Sequence, residues 1–140
     1  MALHPRLKMM LQNPEEIDMS QLEEIKAKDA WVKAALRVLT TCCKSKGGYY
    51  FHEPVDPSKY GIDDYFDIIT EPMDFGTVRK KLTHNVYTDI NEFIRDMNLV
   101  FSNCVKYNGP ENLISKYALE IRNLFEENMK QMGYMNWLVS

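Results

Sequence analysis

Residues 46–74 read KGGYYFHEPVDPSKYGIDDYFDIITEPMD. This stretch decides the fold, because segments of clear helical period flank it on both sides and it has no period of its own. Pro54, Pro57 and Pro72, with Gly47, Gly48 and Gly61, interrupt any long regular element. Its aromatics are nevertheless dense: Tyr49, Tyr50, Phe51, Tyr60, Tyr65 and Phe66. A disordered linker is poor in aromatics, so this connection has to pack. A connection of this length in a compact domain is either functional or conceals an element. Its composition favours function: a packed aromatic loop on helices tends to build a pocket.

Working outward, the segment before it carries Leu22, Ile25, Val32, Leu36, Leu39 and Cys43 on one stripe, interrupted only by Asp29. Ser20 and Glu23 have capping-box spacing at its start, and Gly47 and Gly48 stop it. After the loop, Asp74 is the expected N-cap of a short helix to Leu82 that buries Phe75, Val78 and Leu82. Pro72 blocks its extension backwards. The next helix places Ile90, Phe93, Ile94, Met97, Val100, Phe101 and Cys104 on one face. Thr88 and Asp89 introduce it, and Asn108-Gly109-Pro110 ends it. The last repeats the pattern with Ile114, Tyr117, Ala118, Ile121, Leu124 and Phe125, then Met129 and Met132. No segment alternates with period two. The expected fold is all-α, one bundle of four helices with a long loop between the first two.

Composition bounds the rest. The chain has 140 residues, 45% apolar and 26% charged, which is room for one domain. With 17 basic and 20 acidic residues the net charge is -3. That balance argues against a non-specific nucleic-acid binder, so no direct nucleic-acid partner is expected, a small local basic patch apart. No apolar run approaches the ~18 to 20 residues of a membrane helix, and the N-terminus lacks the pattern of a secretory signal. Three cysteines without a Cys-x-x-Cys spacing suit free thiols in a reducing compartment. Cys104 is expected as a buried small apolar residue, and Cys42 and Cys43 as one core thiol and one partly exposed. His4, His52 and His84 are scattered, with no nucleophile, zinc or phosphate-loop pattern around them. Neither an enzyme, a cofactor nor a metal is expected.

Charge is not spread evenly. From Glu53 to Asp74 there are seven acids (Glu53, Asp56, Asp63, Asp64, Asp67, Glu71 and Asp74) against Lys59, a local net of -6. As single residues these are helix caps and solvated loop positions. As a cluster they predict a mouth that attracts a cationic partner.

Three blocks resemble one known family. Phe51-His52-Glu53-Pro54-Val55-Asp56-Pro57, Asp64-Tyr65-Phe66-Asp67-Ile68-Ile69 and Pro72-Met73-Asp74-Phe75-Gly76-Thr77-Val78 resemble the long loop and following helix of bromodomains. Phe101-Ser102-Asn103-Cys104-Val105-Lys106-Tyr107-Asn108 resembles the end of the third bromodomain helix and the loop after it. The likeness covers residues 21–131. It implies a left-handed four-helix bundle with an acetyl-lysine pocket at one end. Carried over position by position, it gives Asn108 the hydrogen bond to the acetyl carbonyl and Tyr65 a contact through water. Val55, Tyr60, Ile62 and Tyr107 resemble wall positions, and Phe51 the residue beside the methyl. Ile114 resembles a gatekeeper over the mouth. The resemblance further implies histone-tail partners, a role in transcription regulation at chromatin and a nuclear location. Residues 1–20 and 132–140 are then an N-terminal extension and a C-terminal tail, and a monomeric module that touches no membrane is expected. The abrupt ends would fit an excised fragment.

The chemistry agrees with the residue types. Acetylation turns an ammonium into a neutral amide with an apolar methyl. A reader needs a donor for the carbonyl and a dry slot for the methyl. Asn supplies two donors and an acceptor on a short stem, and Phe51 and Val55 can exclude water. Unmodified lysine would bring its charge into a slot with no carboxylate at its base, at several kcal/mol of desolvation. One hydrogen bond at about 1 kcal/mol and about 0.8 per buried methylene-sized group predict weak single-site binding, roughly micromolar to millimolar.

One departure stands out. The family's Trp-Pro-Phe shelf reads Tyr49-Tyr50-Phe51 here. Tyr adds a hydroxyl that wants water or a partner, and losing the Pro predicts a freer Gly48-Tyr49-Tyr50 backbone. Flank preference is what this substitution puts in question. The competing reading is an interaction module of the same shape that has lost acetyl-lysine preference. Such a module would dock another protein, for instance through the amphipathic Leu3, Leu7, Met10 and Leu11 or the tail residues Tyr134, Met135, Trp137 and Leu138.

Overall fold

The computed structural model describes residues 19–134. Its elements are α1 (Met19–Lys44), a 3-10 turn (Gly48–Phe51), the one-turn helices α2 (Pro57–Tyr60) and α3 (Tyr65–Ile68), then α4 (Phe75–Thr83), α5 (Ile90–Asn108) and α6 (Leu113–Gln131). Among the described residues there is no strand. Four longer helices therefore form the bundle. The long connection, expected to be either functional or an unrecognised element, contains three short helical pieces. The expectations placed on residues 1–18 and 135–140, including the amphipathic N-terminal segment and Trp137 in the tail, lie outside the described residues. Tyr134 packs against the core and donates its N–H to the Met129 carbonyl.

The helices form where caps and apolar spacing agree. Asp74 caps α4, accepting from Thr77 N at 2.9 Å and from Thr77 Oγ1 at 2.6 Å. Asp89 caps α5 by accepting from Glu92 N at 3.2 Å, while Glu92 reaches back to accept from Thr88 N at 3.0 Å. Asn112 caps α6, accepting from Ile114 N at 3.0 Å. Ser20 is not a cap: α1 already includes Met19, so Ser20 lies inside the helix.

The buried face of α1 also differs from the expected stripe. Ile25, Trp31, Ala35, Val38, Leu39 and Cys42 are buried, while Val32, Leu36 and Cys43 only flank the core. The face is turned by about one residue, because the helix meets α4, α5 and α6 together and small Ala35 admits close approach. The α4 and α5 faces fall as expected, with α5 burying its whole stripe. Of the α6 stripe, Ala118, Ile121, Phe125 and Met129 are buried, while Ile114, Tyr117, Leu124 and Met132 are half-buried and Ser115 is buried beside them.

A run of aromatic rings forms the spine of the core. Phe51, Phe75, Phe101, Phe125, Phe93 and Tyr87 follow one another at centroid separations between 5.8 and 6.3 Å, in tilted or edge-on arrangements. Such pairs contribute about 0.5–1.5 kcal/mol each beyond their burial. The run starts at the aromatic loop, so the loop is anchored to the bundle centre through Phe51.

Candidate functional site

Three hydrogen bonds to backbone carbonyls help to hold the long loop onto the bundle. Gly76 N donates to the His52 carbonyl at 3.1 Å, and a Cβ at Gly76 would stand 2.5 Å from that oxygen, so only glycine allows the approach. His52 Nε2 donates to the Cys43 carbonyl at 2.9 Å, tying the loop to the end of α1. Asn103 of α5 donates to the Glu71 carbonyl at 2.8 Å at the far end of the loop.

Held this way, the loop and the α5–α6 junction enclose a cavity of about 910 Å³. Tyr49, Tyr50, Val55, Tyr60, Ile62, Tyr65, Tyr107, Asn108 and Ile114 all line it. Sequence reasoning singled out each of these nine, and they come from parts of the chain up to 65 positions apart. Phe51, expected beside a ligand methyl, is not among the lining residues. It is 7% exposed, and its ring packs on Phe75 at 5.8 Å. Five further lining residues, His52, Glu53, Pro54, Asp56 and Lys59, were not singled out as site residues. Glu53, Asp56 and Lys59 were named in the acidic cluster expected at the mouth; for His52 and Pro54, position inside the matched loop was the only signal.

Asn108 is the polar residue at the α5 end of the cavity. Its Nδ2 donates to the Cys104 carbonyl at 3.0 Å, one helical turn back. The reverse amide orientation would set two carbonyl oxygens against each other, so this bond orients the group. Nδ2 also lies 3.7 Å from Cys104 Sγ, a weak acceptor, so an N–H is available to a better acceptor, and Oδ1 accepts from no group among the described residues. Cys104 beside it is buried, and burial pushes its thiol up, with smaller opposing effects from Ser115 and Asn108.

The aromatic wall is internally braced. The Tyr65 and Tyr107 rings lie 4.9 Å apart. Tyr107 Oη donates to Asp64 Oδ1 at 2.7 Å, and that bond to a carboxylate holds its phenol above the usual tyrosine range. Tyr65 is buried, and burial raises its phenol likewise.

The shelf is more fixed than its sequence predicts. Tyr50 N donates to the Gly47 carbonyl at 3.2 Å, a bond that a proline at this position would lack. The Tyr50 ring stacks on Tyr117 of α6 at 6.0 Å and 15°. The expectation of a freer backbone is thus corrected: a hydrogen-bonded 3-10 turn and a ring stack replace the proline constraint. Tyr117 was read as a core position; the signal for its second role is its i+3 spacing from Ile114. Tyr49 is 78% exposed, so water satisfies its hydroxyl.

The acidic mouth is smaller than the cluster of seven implies. Asp74 is buried as a cap, Glu71 pairs with Arg95, and Asp56 caps α2 by accepting from Lys59 N and Ser58 Oγ. Those two hydrogen bonds hold the Asp56 carboxyl below its ordinary value. Of the seven acids only Glu53 and Asp56 line the cavity itself, together with Lys59, while Asp64 accepts from the Tyr107 hydroxyl. Among the described residues, no group of three or more His, Cys, Asp or Glu side chains is arranged to hold a metal ion, and no helix is long and apolar enough to cross a membrane.

Comparison with known proteins agrees with this architecture. A family model described as Bromodomain matches residues 35–120, more than half of the chain. The chain is 42% identical over 100 residues to the "SWR1 complex bromodomain subunit bdf1" of Schizosaccharomyces pombe, covering 71% of this chain and 17% of that protein. It is 39% identical over 119 residues to a bromodomain-containing protein of the same yeast, covering 84% of this chain and 16% of the relative. It is 41% identical over 88 residues to an "Ankyrin repeat, bromo and BTB domain-containing protein" of Dictyostelium discoideum, covering 63% and 11%. The chain therefore spans less than a fifth of the length of these relatives.

Proposed function

The chain belongs to the bromodomain family, whose members bind acetylated lysine, and from that premise we propose that it reads acetyl-lysine in histone tails and targets its parent protein to chromatin in the nucleus. The observation that carries this reading is the placement of Asn108. It lines a cavity of about 910 Å³, its amide is oriented by the Cys104 carbonyl, and beyond that bond its Nδ2 reaches only the weakly accepting Cys104 Sγ at 3.7 Å, which leaves an N–H for a better acceptor. In this reading that N–H meets the acetyl carbonyl, and Tyr65 reaches the same oxygen through a water. Val55, Ile62 and Tyr107 contact the apolar stem, and Phe51 stands beside the methyl. Tyr60 and Ile114 border the entrance, and Tyr49 and Tyr50 flank the peptide. Glu53 and Asp56 favour a tail rich in lysine and arginine. A relative named as a subunit of the SWR1 complex supports a role inside a larger assembly.

The test is calorimetric titration of acetylated and unmodified histone-tail peptides into the wild-type protein and Asn108→Ala. Wild type should prefer the acetylated peptide at roughly micromolar to millimolar Kd. Asn108→Ala should lose about tenfold or more, as a buried acceptor loses its donor. Equal binding of both peptides, or by both proteins, would instead support a module that has lost acetyl-lysine preference.

A further inference from the structure

The bundle carries a second charged region, of opposite sign, away from the cavity. Between Lys26 and Lys46 there are six bases (Lys26, Lys28, Lys33, Arg37, Lys44 and Lys46) against one acid, Asp29. At 100° per residue, Lys26, Lys33, Arg37 and Lys44 project within about 40° of one another from α1. All four are exposed. The row is about 27 Å long at 1.5 Å per residue. Thr40 lies on the edge of the same row, and Arg79 of α4 reaches across to it, its Nη2 3.2 Å from Thr40 Oγ1. A fifth cation therefore joins the row between Arg37 and Lys44. Among the described residues, Lys33 alone of these five has an acidic partner, Asp29 at 3.3 Å.

Such a row suits a partner with negative charge at close, regular spacing over its whole length. Duplex DNA carries one charge per ~1.7 Å of axis and is straight over this distance. A single strand would be gripped by aromatic platforms as well as charge. The strongly exposed aromatics, Tyr49, Tyr50, Tyr60 and Phe66, belong to the long loop, and none lies on this row. We propose that the outer face of α1, extended by Arg79, docks on the phosphate backbone of duplex DNA, independently of the cavity. The net charge of -3 that argued against nucleic acid is an average over this basic row and the acidic loop.

Anisotropy titration of a fluorescent duplex of roughly 20 base pairs at about 50 mM salt tests this. Wild type should bind in the range of about 10⁻⁶ to 10⁻⁴ M, with log K falling as salt rises. Lys33→Gln/Arg37→Gln/Lys44→Gln should bind about tenfold more weakly, with a salt slope shallower by about 2 to 3. Lys116→Gln/Arg122→Gln/Lys130→Gln removes the same charge from α6 and should stay within about twofold of wild type. Acetylated-peptide affinity should be unchanged in the α1 variant, and Asn108→Ala should bind the duplex like wild type, so the two readings fail separately. If the triple variant melts early, Arg37→Gln and Lys44→Gln alone should each lose about two- to threefold. No duplex binding, equal losses in the α1 and α6 variants, or equal or tighter binding of a single strand would each overturn the proposal.

Discussion

Asp96 shows how one residue can shape a region that no ligand touches. It is 3% exposed, and its carboxyl accepts from Tyr87 Oη at 2.6 Å and from Lys81 Nζ at 2.8 Å. The three residues come from α5, the α4–α5 connection and α4, so one carboxylate pins all of them. Burial is the first cause and the Asp96 hydrogen bond the second that push the Tyr87 phenol far above the tyrosine range. Asp96→Ala should cost about 2–4 kcal/mol in urea unfolding, because two donors lose their acceptor together. A loss below about 1 kcal/mol would mean that water replaces the carboxylate. The signal was present in the sequence: Asp96 falls three residues after Phe93, on the apolar face of α5. The thiols behave as expected from their neighbours. Cys42 is fully buried and pushed up to about 12, mainly by desolvation, then by Cys43. Cys43, only half-buried, is raised by burial against the lowering influence of Arg79. Mass spectrometry after brief maleimide treatment at neutral pH should find Cys43 labelled first, with Cys42 and Cys104 modified only on unfolding.

At the scale of elements, the joints matter more than the helices. Gly47 sits at φ +83°, and a Cβ there would stand 2.4 Å from Tyr117 Cγ. Gly47→Ala should therefore lower stability by about 1–3 kcal/mol through backbone strain. It should also disturb the Tyr50–Tyr117 stack, visible as weaker peptide binding than the melting temperature alone explains. An unchanged peptide affinity would show that the stack does not shape the shelf. The α5 cap gives a pH prediction. The Thr88 hydroxyl and amide hold Glu92 below its usual value. A carboxyl lowered in the folded state adds stability above its unfolded value, and that stability is lost as pH falls through the folded one. The melting temperature should drop between about pH 5 and pH 3, and Glu92→Gln should flatten part of that drop. Identical acid profiles would remove Glu92 from the account. The caps at Asp74 and Asp89 were readable because an N-cap needs only local residues. The three helical turns inside the long loop were not, since a single turn is too short to show a period.

For the whole molecule, the separation of charge is the feature with measurable consequences. The acidic loop at the cavity should speed encounter with basic peptides. Stopped-flow association of an acetylated, arginine-rich peptide should slow markedly between about 20 and 200 mM salt, while a neutral acetylated peptide should barely change. Equal salt sensitivity would rule out steering by Glu53 and Asp56. The sequence by itself determined the four long helices, their order and, through the family resemblance, nine of the cavity residues. Those depend on spacing within a segment, on caps, and on motif blocks that survive as contiguous strings. It did not determine which way α1 turns, because that follows from simultaneous packing against three other helices. Nor did it reveal that Phe51 packs on Phe75, that Tyr50 is clamped by Tyr117, or that Glu71 of the acidic cluster pairs with Arg95. Each of these depends on a contact between residues distant in the chain, and only the folded bundle decides which partners meet.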